Sequence, residues 1–189
     1  MSDKSRRGAT MKTPTYACVV FFTVVAAAVP SWLSAQTPAL SQAKELAVTF
    51  QRAATEILDV AEAMPADKYG YKPTPEISSF GDQLVHVAGI TQRFIDAAKG
   101  AKTEPAHHGA MAKPEVIGLL KKTFQSAQET ITPLTDAQLL EPVKFPFGDR
   151  TVTRATFWQG PLYQIRNHYG QLVVYLRMNG IVPPTSARR

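Results

Sequence analysis

Cysteine is all but missing from this chain: its 189 residues contain one, Cys18. A lone thiol excludes a disulfide-stapled scaffold and a zinc site built on cysteines. Cys18 lies inside an apolar stretch whose bulk follows it, whereas a lipidated cysteine would close such a stretch. A concentrated basic patch is missing too. The formal net charge is +6, but residues 1–35 hold four basic residues (Lys4, Arg6, Arg7, Lys12) against one acid, Asp3, so the remainder carries only +3. Nucleic-acid binding calls for clustered Lys and Arg, so no nucleic-acid partner is expected. Also absent are a Ser-His-Asp arrangement, a glycine-rich phosphate loop and an H-E-x-x-H motif, which removes the motif-based readings for nucleophilic hydrolysis, nucleotide binding and zinc proteolysis. With 44% hydrophobic and 19% charged residues, the chain has apolar material for one sizeable core.

One long apolar run is present, YACVVFFTVVAAAV at residues 16–29. It is shorter than the roughly 20 residues a spanning helix needs, and Pro30 would break a helix there. Lys12 precedes it and Ser31, Ser34 and Ala35 follow, the order of a secretory signal. The expectation is a signal peptide at 1–35 cleaved after Ala35, a periplasmic or extracellular mature protein, and membrane contact only through this segment; an uncleaved anchor is the alternative. Met11-Lys12-Thr13 is a second plausible start, and Ser5-Arg6-Arg7 a faint twin-arginine signal whose following residues, Gly8, Ala9 and Thr10, are not the usual apolar ones.

The mature part reads as four helices. Helix one is expected from Pro38 to Met64, with Thr37 as N-cap and Ala43, Leu46, Phe50, Ala53, Ile57, Ala61 and Met64 recurring at helical period until Pro65 stops it. Helix two starts at Ser79, where Ser79-x-x-Asp82 resembles a capping box, and ends at Gly100. A polar loop with His107-His108-Gly109 follows. Helix three begins around Pro114 with Val116, Leu119, Leu120, Phe124, Ala127 and Ile131 on one face. Thr135 to Gln138 looks like a capped extra turn. Residues 143–152 read equally well as a small hairpin or as a loop wall over one bundle end. Helix four runs from Arg154 to Asn179, capped by Thr153 and ended by Gly180 and Pro183-Pro184. Gly160-Pro161 conflicts with it, so the helix either begins near Pro161 or kinks there. Four amphipathic helices without a convincing sheet predict an all-α four-helix bundle over 36–186, with 187–189 as a tail.

Two segments, LVHVAGITQRFIDAAKG at 84–100 and NHYGQLVVYLRMNGIVPP at 167–184, resemble the DinB-like family, as does the approach KYGYKPTPEISSFGDQL at 68–84. The resemblance spans residues 40–186. It implies an antiparallel four-helix bundle, often a homodimer. Many members hold a divalent metal on three histidines at one bundle end, one from helix two and two from an H-x-x-x-H pair on helix four. Related enzymes act on small thiol cofactors. By that resemblance His86 matches the helix-two ligand and His168 the second histidine of the pair, while Gln164 stands where the first would be.

Spacing of four puts Gln164 and His168 on one helical face. A glutamine offers only an amide oxygen, a poor donor for zinc or nickel, so Gln164 serves as a weak ligand or orients a bound water from behind. The ordinary reading of His86 is a histidine satisfied by a hydrogen bond. His107 and His108 are read as solvent-exposed loop residues. Tyr69, Tyr71, Trp158 and Tyr175 are read as packing aromatics whose polar atoms find partners, and Arg177 as complementing the helix-four dipole.

Two functional readings follow. The first is an exported protein with a zinc or nickel site on His86 and His168, related to metal-dependent hydrolases or transferases and acting on a small molecule. The second is a non-catalytic binding or structural bundle with a degenerate metal site. A weaker third is an apolar or aromatic ligand in the vacated cavity.

Overall fold

A computed structural model describes residues 40–102 and 111–187. The signal segment, Thr37 and the His107-His108 loop lie outside the described residues.

The first helix, α1 (Gln42–Ala63), starts later than its apolar period suggests, with Ser41 as the N-cap whose hydroxyl accepts the Lys44 backbone N–H. A second group holds this start. The Asp136 carboxylate accepts from the Ala43 backbone N–H (2.8 Å) and the Ser41 hydroxyl (2.9 Å). Those two bonds, the Ala43 one foremost, hold the Asp136 carboxyl below its ordinary pKa. Asp136 itself opens α4 (Asp136–Leu139), the capped extra turn expected at Thr135. One short acidic helix thus satisfies the orphan donors of another.

A 3-10 turn (Ala66–Lys68) leads from α1 towards α2 (Phe80–Lys99). The Ser79–Asp82 capping box is present, and Gly100 takes the left-handed conformation (φ 65°) that closes the helix. The Tyr69 hydroxyl donates to the Ala61 carbonyl at 2.7 Å, and burial, with Glu62 nearby, pushes that phenol above its ordinary pKa. α3 (Lys113–Ile131) begins one residue before Pro114, and the Glu115 carboxylate caps the Ala112 N–H at 2.8 Å.

Residues 143–152 resolve in favour of the hairpin. β1 (Pro142–Lys144) pairs antiparallel with β2 (Thr151–Thr153), with Val143 opposite Val152. β2 runs straight into α5 (Arg154–Met178), whose first turn is capped by Thr153. α5 passes through Gly160-Pro161 as one continuous helix, so it neither starts late nor breaks at the proline. The buried Pro161 ring takes the place of a side chain against the core. Gly180 (φ 73°) ends α5, and Pro184–Ala187 forms a final helical turn, α6, rather than a bare stop.

The four long helices close on one apolar core: α1 packs on α3 and α5, and α2 packs on the same two. Phe50, Ile57, Leu84, Phe94, Leu120, Ile131, Phe157 and Trp158 are fully buried there. The stripes expected for the first and third helices face the core, with Leu46 and Leu119 only partly buried, and α5 turns Phe157, Trp158, Pro161, Ile165, His168, Leu172, Tyr175 and Leu176 inward. The all-α expectation stands, with a two-stranded hairpin added at one side. Among the described residues, no helix is long and apolar enough to cross a membrane.

Candidate functional site

His86 sits on α2 and His168 on α5, 82 residues apart in sequence, and the α2–α5 packing brings them side by side. Their ring centroids are 5.0 Å apart with planes inclined at 56°. His86 is exposed, while His168 is only 9% exposed.

The environment of His168 is ordered by a hydrogen-bond chain. Its Nδ1 contacts the Oε1 of Gln83, which lies one turn before His86 on α2. The Gln83 amide nitrogen donates to the Tyr175 hydroxyl at 3.4 Å, and that hydroxyl donates to the Ser78 carbonyl at 2.8 Å. With the Tyr175 proton directed at Ser78, the tyrosine oxygen accepts from the amide, which turns the Gln83 carbonyl towards the imidazole. His168 Nδ1 therefore carries the hydrogen, and Nε2 keeps its lone pair. Burial, with the nearby His86 second, pushes the His168 pKa down to about 4. The ring is neutral at neutral pH, the state in which imidazole can take a metal. A histidine fixed through Nδ1–H to a carbonyl oxygen, with Nε2 free, is the arrangement that orients metal-binding imidazoles.

Gln83 escaped the sequence reading. Its signal was present, since residues three apart share a helix face, but a glutamine on a helix is ordinarily solvated. Tyr175 behaves as expected of a packing aromatic with a satisfied hydroxyl: it lies edge-on to Tyr71 (6.2 Å). Trp158 does not, because its buried indole N–H has no partner among the described residues. Arg177 lies in the last turn of α5, where a positive charge complements the helix dipole, and reaches the Ser186 hydroxyl at 3.5 Å.

Gln164 occupies the expected face of α5, one turn before His168, and lines a cavity of about 410 Å³. Ile90, one turn after His86, lines it too, so the cavity adjoins the histidine pair. Phe94 of α2, Phe145 and Phe147 of the hairpin, and Tyr163 of α5 supply its aromatic wall. A larger cavity of about 640 Å³ lies between α1 and α3. Its lining, including Lys44, Val48, Arg52 and Gln128, offers no imidazole, carboxylate or thiol, so volume there does not coincide with chemistry. Among the described residues, no three His, Cys, Asp or Glu side chains converge as a metal-binding group. The donor set thus fits part of a zinc or nickel shell: two imidazoles, one pre-oriented, and an amide one turn away.

A helical core carrying two facing imidazoles at the α2–α5 seam defines the class of this protein. The particular family follows from comparison. The DinB superfamily profile matches residues 49–172, and the chain belongs to that superfamily. Similar solved structures include a DinB-like protein from Bacillus cereus ATCC 10987 (TM-score 0.66, 14% identity, covering 76% of this chain and 96% of that one). A DinB-like protein from Bacillus subtilis is similar at a TM-score of 0.58 and 25% identity, covering 72% and 92%. A conserved protein from Enterococcus faecalis matches at 0.58 and 15%, covering 74% and 97%. No curated protein matches the sequence.

Proposed function

We propose that this protein is an exported, antiparallel four-helix DinB-like bundle that binds a zinc or nickel ion between α2 and α5, as a relative of metal-dependent hydrolases and transferases. The observation that carries the reading is the His86–His168 pair at 5.0 Å, with His168 held by Gln83 so that Nε2 is free. His86 and His168 would hold the ion, with Gln164 as a weak donor or a partner for bound water. When bound, such an ion supplies Lewis acidity, polarising a substrate or lowering the pKa of a coordinated water. The protein's own contribution is positional: Gln83 holds the His168 tautomer, and exposed His86 leaves the site open to a small molecule. The pattern at residues 1–35 supports export. Homodimer formation belongs to the same proposal and is supported by Tyr163, Val174 and Met178, large apolar side chains left exposed on α5.

The second reading, a non-catalytic bundle that binds a ligand, is favoured by one observation. Gln164 lines an aromatic cavity instead of adding a third imidazole.

Elemental analysis of protein purified without a histidine tag tests the first reading, together with thermal unfolding under added zinc or nickel. Stoichiometric metal and a raised midpoint are expected, because a ligand that binds only the folded state stabilises it. Gln164→His should tighten binding by supplying the third imidazole. A variant that still binds neither ion would show that this α5 face is not part of a metal site.

A further inference from the structure

The cavity beside the histidine pair has a chemistry of its own. Its walls are rings set edge to face: Phe94 lies 5.3 Å from Phe145 and 5.9 Å from Phe147, centroid to centroid. Two guanidinium groups cover these rings. Arg150 stands 3.9 Å over Phe145, and Arg93 stands 5.6 Å over Phe147. Neither pairs with a carboxylate among the described residues; the neighbouring Asp149 is engaged by Lys144. A guanidinium stacked on a ring face keeps its in-plane N–H groups free, and their fork matches a carboxylate. The Gln159 and Gln164 amides also line the cavity with no hydrogen-bond partner among the described residues. A volume of about 410 Å³ lies in the range of small-molecule sites, which are mostly apolar with a few convergent polar groups.

We propose that the cavity between α2, α5 and the β1–β2 hairpin binds a small planar aromatic carboxylate, its ring against the aromatic wall of Phe145, Phe147 and Tyr163 and its carboxylate on Arg150. As a statement about the substrate class of the metal site this rests on the metal reading. As a statement about binding it does not, because every contact invoked comes from the protein.

The test is calorimetric titration of the full chain in EDTA with 1-naphthoate and with 1-naphthylmethanol, a neutral compound of the same shape. The acid is expected to bind more tightly. Arg150→Gln should weaken it about tenfold or more, since a hydrogen bond to a charged group is lost, and should leave the alcohol unchanged. Phe147→Ala, at the exposed hairpin tip, should weaken both. Because EDTA keeps the chain free of metal throughout the titration, failure of the metal reading is separable from failure of this one. Absence of saturable binding by the wild-type chain, or equal binding of the acid to wild type and Arg150→Gln, would overturn the proposal.

Discussion

Gly160→Ala should destabilise this protein even though alanine is the better helix former. Gly160 lies inside α5, where glycine ordinarily costs about 1 kcal/mol relative to alanine. A methyl group there would lie 2.6 Å from Cε1 of Phe94 and closer still to Cζ, far inside van der Waals contact. The ring cannot easily withdraw, because Phe94 is 1% exposed and packs edge-on against Phe145, Phe147 and Phe157. Overpacking of this kind costs about 1–3 kcal/mol. The offsetting gain in helix propensity is reduced because Pro161 crowds the β-carbon of the residue before it. The net expectation is a loss of about 1–3 kcal/mol, read as a lower urea midpoint at unchanged slope by far-ultraviolet circular dichroism. Phe94→Leu removes the clashing ring atoms. In that background Gly160→Ala should be neutral or stabilising by up to about 1 kcal/mol, a reversal that a double-mutant cycle reports directly. An equal cost in both backgrounds, or a raised midpoint in the wild-type background, would refute the packing argument.

Acid should weaken the metal-free protein through His168. Its folded pKa of about 4 lies below the ordinary 6.5, so the unfolded state binds more protons in that window. This contribution is fully present above about pH 6.5 and is lost as pH falls towards 4, to a limit of about 3 kcal/mol. Urea midpoints measured across that range should fall with pH, and His168→Gln should flatten the slope. Gln83→Leu removes the acceptor that fixes the His168 tautomer and should lower zinc or nickel affinity by about 10- to 100-fold, measured by competition with a chelating dye. Equal affinity in wild type and Gln83→Leu would show that Gln83 does not position the ligand.

The local devices of the chain were readable where they depend on neighbours in sequence. The Ser79–Asp82 box, the Gly100 and Gly180 stops and the Thr135 and Thr153 caps occur where residue type and spacing put them. Misreadings cluster where a distant element intervenes. α1 starts at Gln42 with Asp136, 94 residues away, adding to the Ser41 cap. α5 continues through Gly160-Pro161 because the missing β-carbon admits Phe94 and the proline ring is buried in the core, gains invisible to a rule about helix interiors.

The same division holds for the site. His86, His168 and Gln164 were singled out as candidates because spacing on a helix is a local property, and the resemblance to the DinB-like family marked which faces to consider. Gln83 became significant only when α2 packed on α5 and its amide met His168 and Tyr175 across the seam. The aromatic cavity likewise exists because a hairpin folds back over α2 and α5, setting Phe145, Phe147 and Arg150 beside Phe94. By itself the sequence determined helix, cap and face, which follow from backbone sterics and a 3.6-residue period. The tertiary structure alone decided which polar atoms are satisfied, which imidazole is buried and where a ligand-sized space remains, because hydrogen bonding, desolvation and cavity shape depend on groups brought together from distant parts of the chain.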